Sequence, residues 1–204
     1  RLSLRKSLVI IDYILNCVTY KTQSIRSQYN EFPFVTREEW GARPAGGAAS
    51  RLNSPVPYVV IHHSFDPPAC QNRTECVRSM QYIQNMHQID NGWQDIGYNF
   101  GVGGDGAVYE GRGWETVGAH AVGYNIQSIG IVLIGDWVSK LPPQKQLNVT
   151  KELIAHGVSQ GHIHEDYQLI GHRQVGATEC PGNALYGEIS SWKRYVPVVK
   201  KSKN

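Results

Sequence analysis

A chain of 204 residues, 41% hydrophobic and 18% charged, is long enough to enclose one core and excludes the disordered and fibrous classes. The net charge of +3 gathers largely at the ends, in Arg1, Arg5 and Lys6 and in Lys200, Lys201 and Lys203. A continuous nucleic-acid footprint is therefore not expected, and no apolar run reaches the roughly 18–20 residues of a bilayer span.

Leu8 to Val18 is apolar behind Arg1, Arg5 and Lys6, loosely like a secretory leader, but Asp12 interrupts it and no clean small-residue cleavage site follows. Residues 1–30 are read as a leader or flexible N-terminal extension, 31–196 as the domain and 197–204 as a basic tail. The domain opens near Phe34 to Trp40 and passes through a Gly- and Pro-bearing loop to Pro57. Tyr58-Val59-Val60-Ile61-His62-His63 is a nearly continuous β-branched run, which predicts a strand buried on both faces. Val77, Met80, Ile83 and Met86 or His87 recur at helical spacing, predicting an amphipathic helix over 74–89 that stops at Asp90-Asn91-Gly92.

Tyr98 to Val102 and Ala107 to Glu110, joined by Gly103-Gly104-Asp105-Gly106, read as a hairpin. Ser128 to Ile134 predicts a second fully buried strand. Pro142-Pro143 opens a helix with Leu147, Lys151, Ile154 and Gly157 or Val158 on one stripe, ended by Gly161. A further strand spans Tyr167 to Ile170, and a last helix Gly182 to Trp192. Strands alternating with long helices predict a single α/β domain with a central mixed β-sheet flanked by helices.

Of the cysteines at 17, 70, 76 and 180, Cys70 and Cys76 have a spacing that suits a small disulfide loop. Sequons at Asn72-Arg73-Thr74 and Asn148-Val149-Thr150 add to it, and together they favour an oxidising, extracellular setting.

Metal-ligand residue types collect where strands end. His62 and His63 close the first buried strand, His172 follows the last strand in Gly171-His172-Arg173, and Cys180 precedes Pro181-Gly182. Ligand sites in open α/β sheets gather at such ends. Zinc takes nitrogen and sulfur donors, and three protein ligands leave a fourth position open for catalysis. There it lowers the pKa of a bound water to about 7 and polarises a carbonyl, as amide hydrolysis requires. A histidine after a strand serves equally well as a structural hydrogen-bonder, however, and Cys180 has Cys17 as an alternative partner. No local motif such as H-E-x-x-H ties His62 to His172, so spacing does not choose among the eight histidines.

The motifs Tyr58-Val-Val-Ile-His-His-Ser64, Asp95-Ile-Gly-Tyr-Asn-Phe100, Val108-Tyr-Glu-Gly-Arg-Gly-Trp114, Gly118-Ala-His120, Ser128-Ile-Gly-Ile131, and Gly171-His-Arg173 with Cys180-Pro-Gly182 occur in this order. Together they resemble the peptidoglycan recognition protein family, which shares a domain with phage-type N-acetylmuramoyl-L-alanine amidases. The resemblance covers residues 34–195. Gly130 to Trp137 with Leu141-Pro-Pro143 is similar to the catalytic LB type of insects. The resemblance implies an amidase-like fold, with His62, His172 and Cys180 as ligands of Zn2+ and Tyr98 as a catalytic residue. The Tyr98 phenol would donate a hydrogen bond to the scissile carbonyl or to the zinc-bound water, where charge develops in the tetrahedral intermediate. Thr178, two residues before the cysteine, follows the animal pattern, which implies a hydrogen bond near the zinc-bound water. Members that replace the cysteine bind without cutting; here it is intact. A ligating Cys180 makes Cys70–Cys76 the expected bridge and leaves Cys17 over.

The resemblance also implies a preference for diaminopimelate-type wall through Gly92, Trp93 and Arg112, because a guanidinium grips the extra carboxylate bidentately. Read without it, Arg112 is a surface charge in a turn and Trp93 a core-edge aromatic. His63, His87, Trp114, His120 and Asn125 match further groove positions and are expected to touch sugar or stem peptide, although His63 shares a strand with His62 and alternates to its other face. His156, His162 and His164 are expected to be solvated. The implied activity is hydrolysis of the lactyl–L-alanine amide of bacterial peptidoglycan and muropeptides, in innate immunity, by a secreted monomer. The rival readings are a non-catalytic recognition receptor using the same groove and an intracellular isoform.

Overall fold

Strand β2 (Val56–His63) occupies the middle of the fold, and every residue in it except Pro57 is buried. In the computed structural model, which describes residues 32–198, β2 runs parallel to both of its neighbours, β5 (Ser128–Leu133) and β6 (Ile163–Gly171). Strand β3 (Phe100–Val102) adds parallel to β5, β4 (Val108–Glu110) antiparallel to β3, and the two-residue β1 (Phe34–Val35) parallel to β4. The sheet order is β1-β4-β3-β5-β2-β6, so the sheet is mixed as expected. Parallel strands covered on both faces need continuous apolar sequence, and all six residues of β5 are buried.

Helices cover the two faces unequally. Helix α1 (Arg73–Asn85) lays Cys76, Met80 and Ile83 against Trp40, Ile96, Tyr109 and Ile134. Asn72 caps it: its Oδ1 accepts from the Glu75 N–H at 3.0 Å while its Nδ2 donates to the Glu75 carboxylate at 2.7 Å. Such a cap contributes about 1 kcal/mol. After Asn85 the helix widens into a π turn, Met86–Asp90, and ends at Gly92 with φ +67. Helices α2 (Gln144–Ser159) and α3 (Asn183–Ile189) cover the other face, where Leu147, Leu153, Leu185 and Ile189 meet Val59, Ile61, Ile129 and Ile131. The two-residue period of a strand does the sorting: Val59 and Ile61 turn to these helices, whereas Tyr58 and Val60 turn away. Gln146 anchors α2 by donating from Nε2 to the carbonyls of Val102 at 2.7 Å and Ile134 at 3.2 Å.

Cys70 and Cys76 are bridged, and the tip of the β3–β4 hairpin packs on that loop. A Cβ on Gly104 would collide with the Cys70 carbonyl, so only glycine fits there. Several boundaries depart from the sequence reading. Strand β6 begins at Ile163, because its His164, Glu165 and Asp166 are exposed and hide the pattern. Helix α3 stops at Ile189 instead of reaching Trp192, which donates from its indole to Glu188. His156, expected in solvent, is buried with its ring 5.7 Å from Phe32 and 6.4 Å from Trp114. His162 stacks on Trp114 at 4.9 Å, and of the three only His164 is exposed. On the stripe before it Val149 and Leu153 are buried, and Phe32 and Trp114 supply the aromatic surroundings of the ring. No described helix is long and apolar enough to cross a membrane. The Leu8–Val18 stretch, Cys17 and most of the basic tail lie outside the described residues.

Candidate metal centre and groove

Register brings the two histidines together. Ile61 of β2 pairs with Gly171 of β6, so the next residue of each strand, His62 and His172, emerges at the same edge. Their ring centroids are 4.5 Å apart. His62 projects to the face that α2 and α3 leave uncovered, and His172 begins a single 3-10 turn, His172–Gln174. Cys180 returns on the following loop, held by Arg173 N–H donating to its carbonyl at 2.8 Å and by its own N–H donating to Thr178 Oγ1 at 3.1 Å. Its Sγ lies 3.8 Å from His62 Nδ1, and donor atoms of His62, His172 and Cys180 all lie within 4.8 Å of one another.

The electrostatics suit a cation. Burial, then the neighbouring imidazoles of His120, His172 and His63, hold His62 well below the usual histidine range, and burial also lowers His172. Both rings are therefore neutral and carry lone pairs. Burial pushes the Cys180 thiol up to about 12, with the His63 N–H and the Arg173 guanidinium pulling the other way. Two neutral imidazoles and a thiol, converging without a counter-charge of their own, fit zinc in donor type and number. A bound metal would displace the thiol proton and hold Cys180 as thiolate.

Tyr98 stands beside this cluster with its ring 5.2 Å from His62. Burial, reinforced by Cys180, raises its phenol, so it stays a donor throughout the neutral range. Its neighbours in the motif hold it in place. Asp95 Oδ1 accepts from Arg37 at 3.0 Å, Gln84 at 2.9 Å and the Ile96 N–H at 2.8 Å. Asn99 donates to the carbonyls of Gly113 and Thr116 at 2.8 and 3.0 Å and accepts from the Gly130 N–H at 2.9 Å. Sequence reading picked Tyr98 from this motif and passed over Asp95 and Asn99. The available signal was two polar residues inside an otherwise apolar segment.

Farther along the groove, His87 accepts from the Gly97 N–H at 2.9 Å and stacks on the exposed Trp93 at 4.6 Å. Burial, with the Arg112 charge, lowers His87 to about 4, so it is neutral. Gly92 supplies the left-handed turn that presents Trp93. Arg112 is steered by two carbonyls, of Ile96 at 2.6 Å and Val117 at 2.8 Å, and lines a cavity of 310 Å³ with Arg37, Gln94 and Asp95. Past His172 the same face opens into a cavity of 670 Å³ lined by Tyr58, Tyr124, Gln127 and Arg173.

Four residues expected to touch substrate have partners within the protein. Trp114 is buried on the helix-covered face, 4.4 Å from Phe100, because the strand leading to it ends with Glu110 and the chain turns under α2. His63 alternates away from His62, and its Nδ1 accepts from the Trp137 N–H at 3.3 Å. Asn125 Oδ1 accepts from the N–H groups of His120 and Ala121 at 2.9 and 2.8 Å. His120 is buried, and its Nδ1 lies 3.0 Å from His62 Nε2. These side chains are engaged within the protein, as is the buried His87, whereas Trp93 is exposed and Arg112 lines the 310 Å³ cavity.

Residues 52–183 match the N-acetylmuramoyl-L-alanine amidase family. The chain is 50% identical over 164 residues to peptidoglycan-recognition protein LB of Drosophila melanogaster, covering 80% of this chain and 70% of that protein. A point mutant of Drosophila PGRP-LB, solved in complex with tracheal cytotoxin, superposes with a TM-score of 0.79 at 50% identity, covering 80% of this chain and 96% of that one. Peptidoglycan recognition protein LE, solved with tracheal cytotoxin, a monomeric diaminopimelic acid-type peptidoglycan, superposes with a TM-score of 0.79 at 44% identity, over 80% and 95% of the two chains.

Proposed function

Because the chain belongs to the peptidoglycan-recognition protein family, built on the N-acetylmuramoyl-L-alanine amidase domain, we propose that it is a zinc amidase cutting the lactyl–L-alanine bond of peptidoglycan. The observation that carries this reading is the convergence of His62, His172 and Cys180 within 4.8 Å, with the Tyr98 ring 5.2 Å from His62. Zinc held by those three residues would supply a Lewis acid and an acidified water. Tyr98, protonated and fixed by the Asp95 and Asn99 networks, donates to the carbonyl oxygen as negative charge grows there. Thr178 keeps the Cys180 loop in place through the bond from the Cys180 N–H and leaves its own hydroxyl hydrogen free to serve the reacting groups. Water adds across the amide: the carbonyl carbon gains the hydroxyl, and the alanine nitrogen leaves with a proton.

Stem peptide lies toward Trp93 and Arg112, and a diaminopimelate carboxylate is the natural partner of a guanidinium already steered by two carbonyls. Relatives solved with tracheal cytotoxin support this choice. In this reading the protein is a secreted monomer of innate immunity that degrades immune-stimulating wall fragments, a setting the Cys70–Cys76 bridge favours. Purified protein with zinc is expected to release free stem peptide from diaminopimelate-type peptidoglycan, and chelation to stop it. Retained binding without any release would replace the amidase with a recognition receptor.

A further inference from the structure

We propose that His120 is a positioning residue: a hydrogen-bond relay through it fixes His62 in the tautomer whose bare Nδ1 faces Cys180. The proposal rests on the zinc reading above. It starts from a buried contact, His62 Nε2 to His120 Nδ1 at 3.0 Å, with the rings edge-on at 84°. Which ring nitrogen carries the proton follows from the far end of the chain of bonds. Ser128 Oγ lies 2.7 Å from the Tyr124 carbonyl, which can only accept, so the single hydroxyl hydrogen is used there. Ser128 Oγ also lies 3.5 Å from His120 Nε2, and with its hydrogen engaged it can only accept from that nitrogen.

A neutral imidazole has one N–H. With the His120 proton on Nε2, Nδ1 is left as an acceptor, and His62 must donate from its Nε2. His62 Nδ1 then has no proton and points its lone pair at the donor cluster, 3.8 Å from Cys180 Sγ. The sequence of bonds is thus Tyr124 carbonyl, Ser128 hydroxyl, His120, His62 and finally the metal-binding nitrogen. Outer partners of this kind orient ligating histidines and select their tautomer.

The surroundings are shaped to hold the relay. A Cβ on either Gly118 or Gly130 would overlap the His120 ring, so glycine at both positions makes the slot that receives it. Asn125 pins the backbone on either side, accepting from His120 and Ala121 N–H groups at 2.9 and 2.8 Å. The inward burial of His120 and the role of Asn125 share one cause.

The test compares His120→Phe, which keeps a buried ring without an acceptor, and His120→Asn, whose Oδ1 can accept from His62 in place of Nδ1. Zinc affinity is read by competition with a chromophoric chelator, and the His62 tautomer by nitrogen-15 NMR of the metal-free protein. His120→Phe is expected to weaken zinc about 10–100-fold and His120→Asn to recover most of it. Metal-free wild type is expected to carry the His62 proton on Nε2. A folded His120→Phe with wild-type zinc affinity, or wild type with the proton on Nδ1, overturns the proposal. If His120→Phe does not fold, the wild-type tautomer decides. Wild type that binds no zinc would defeat the amidase reading, while the tautomer still reports on the relay.

Discussion

The two faces of the sheet use the same strands for opposite purposes. On the helix-covered face Val59, Ile61, Ile129 and Ile131 pack against α2 and α3 in one continuous apolar core. On the groove face the alternate positions of those strands carry His62, Gly130 and the small cluster around Val60, and α1 covers the part around Gly101 and Ile134 while loops surround the rest. One face holds the larger apolar core, and the other combines a second apolar cluster under α1 with buried polar groups and glycines where donors converge. Stability and chemistry are thereby separated by a two-residue period.

That separation is open to direct attack. Cys180→Ser removes the sulfur donor from the groove face and is expected to lower hydrolysis by about 1,000-fold or more with loss of bound zinc. Its thermal midpoint, measured in chelator against chelated wild type, should move little. A variant that keeps zinc and activity would dissolve the proposed centre. Tyr98→Phe is expected to reduce kcat about 100–1,000-fold while zinc and muropeptide affinity stay near wild type, as read by kinetics and calorimetry. Unchanged kcat would remove Tyr98 from the chemistry.

Ile131→Ala probes the other face. It should cost about 2–5 kcal/mol in denaturant unfolding, yet leave the zinc affinity of the folded protein unchanged. A large loss of zinc affinity in that variant would show the faces to be coupled. Arg112→Ala refines the groove face itself: affinity for diaminopimelate muropeptide should fall about 10–100-fold, and affinity for the lysine-type ligand by much less. Equal losses on both ligands would assign Arg112 to general groove shape. Smallest is the Cys70→Ala, Cys76→Ala pair, expected to cost about 2 kcal/mol of stability with kcat preserved.

Much of this arrangement is legible along the chain. The β-branched runs at 58–63 and 128–134 correspond to β2 and β5, and the helical stripe from Val77 to His87 corresponds to α1 and its π turn. Burial on both faces leaves a plain signature in residue type. Strand β6 was half hidden because its first residues face water, and β1 is too short for any period to register. For the site, the ordered motifs named His62, His172, Cys180 and Tyr98; donor atoms of the first three lie within 4.8 Å of one another, and the Tyr98 ring is 5.2 Å from His62.

The sequence by itself determined the kinds of elements and the side of each strand on which alternate residues fall, since these depend on neighbours a few residues away, while the candidate donors came from the order of motifs along the whole chain. Only the tertiary structure decided which histidines meet. Trp114, His63 and His120 stand in motifs that read as groove walls, yet one lies beneath α2, one bonds to Trp137 and one to His62. Those outcomes depend on the β2–β6 register, on the cover supplied by distant helices and on the slot that Gly118 and Gly130 leave open. Each is a contact between residues far apart in the chain, and local pattern carries no record of it.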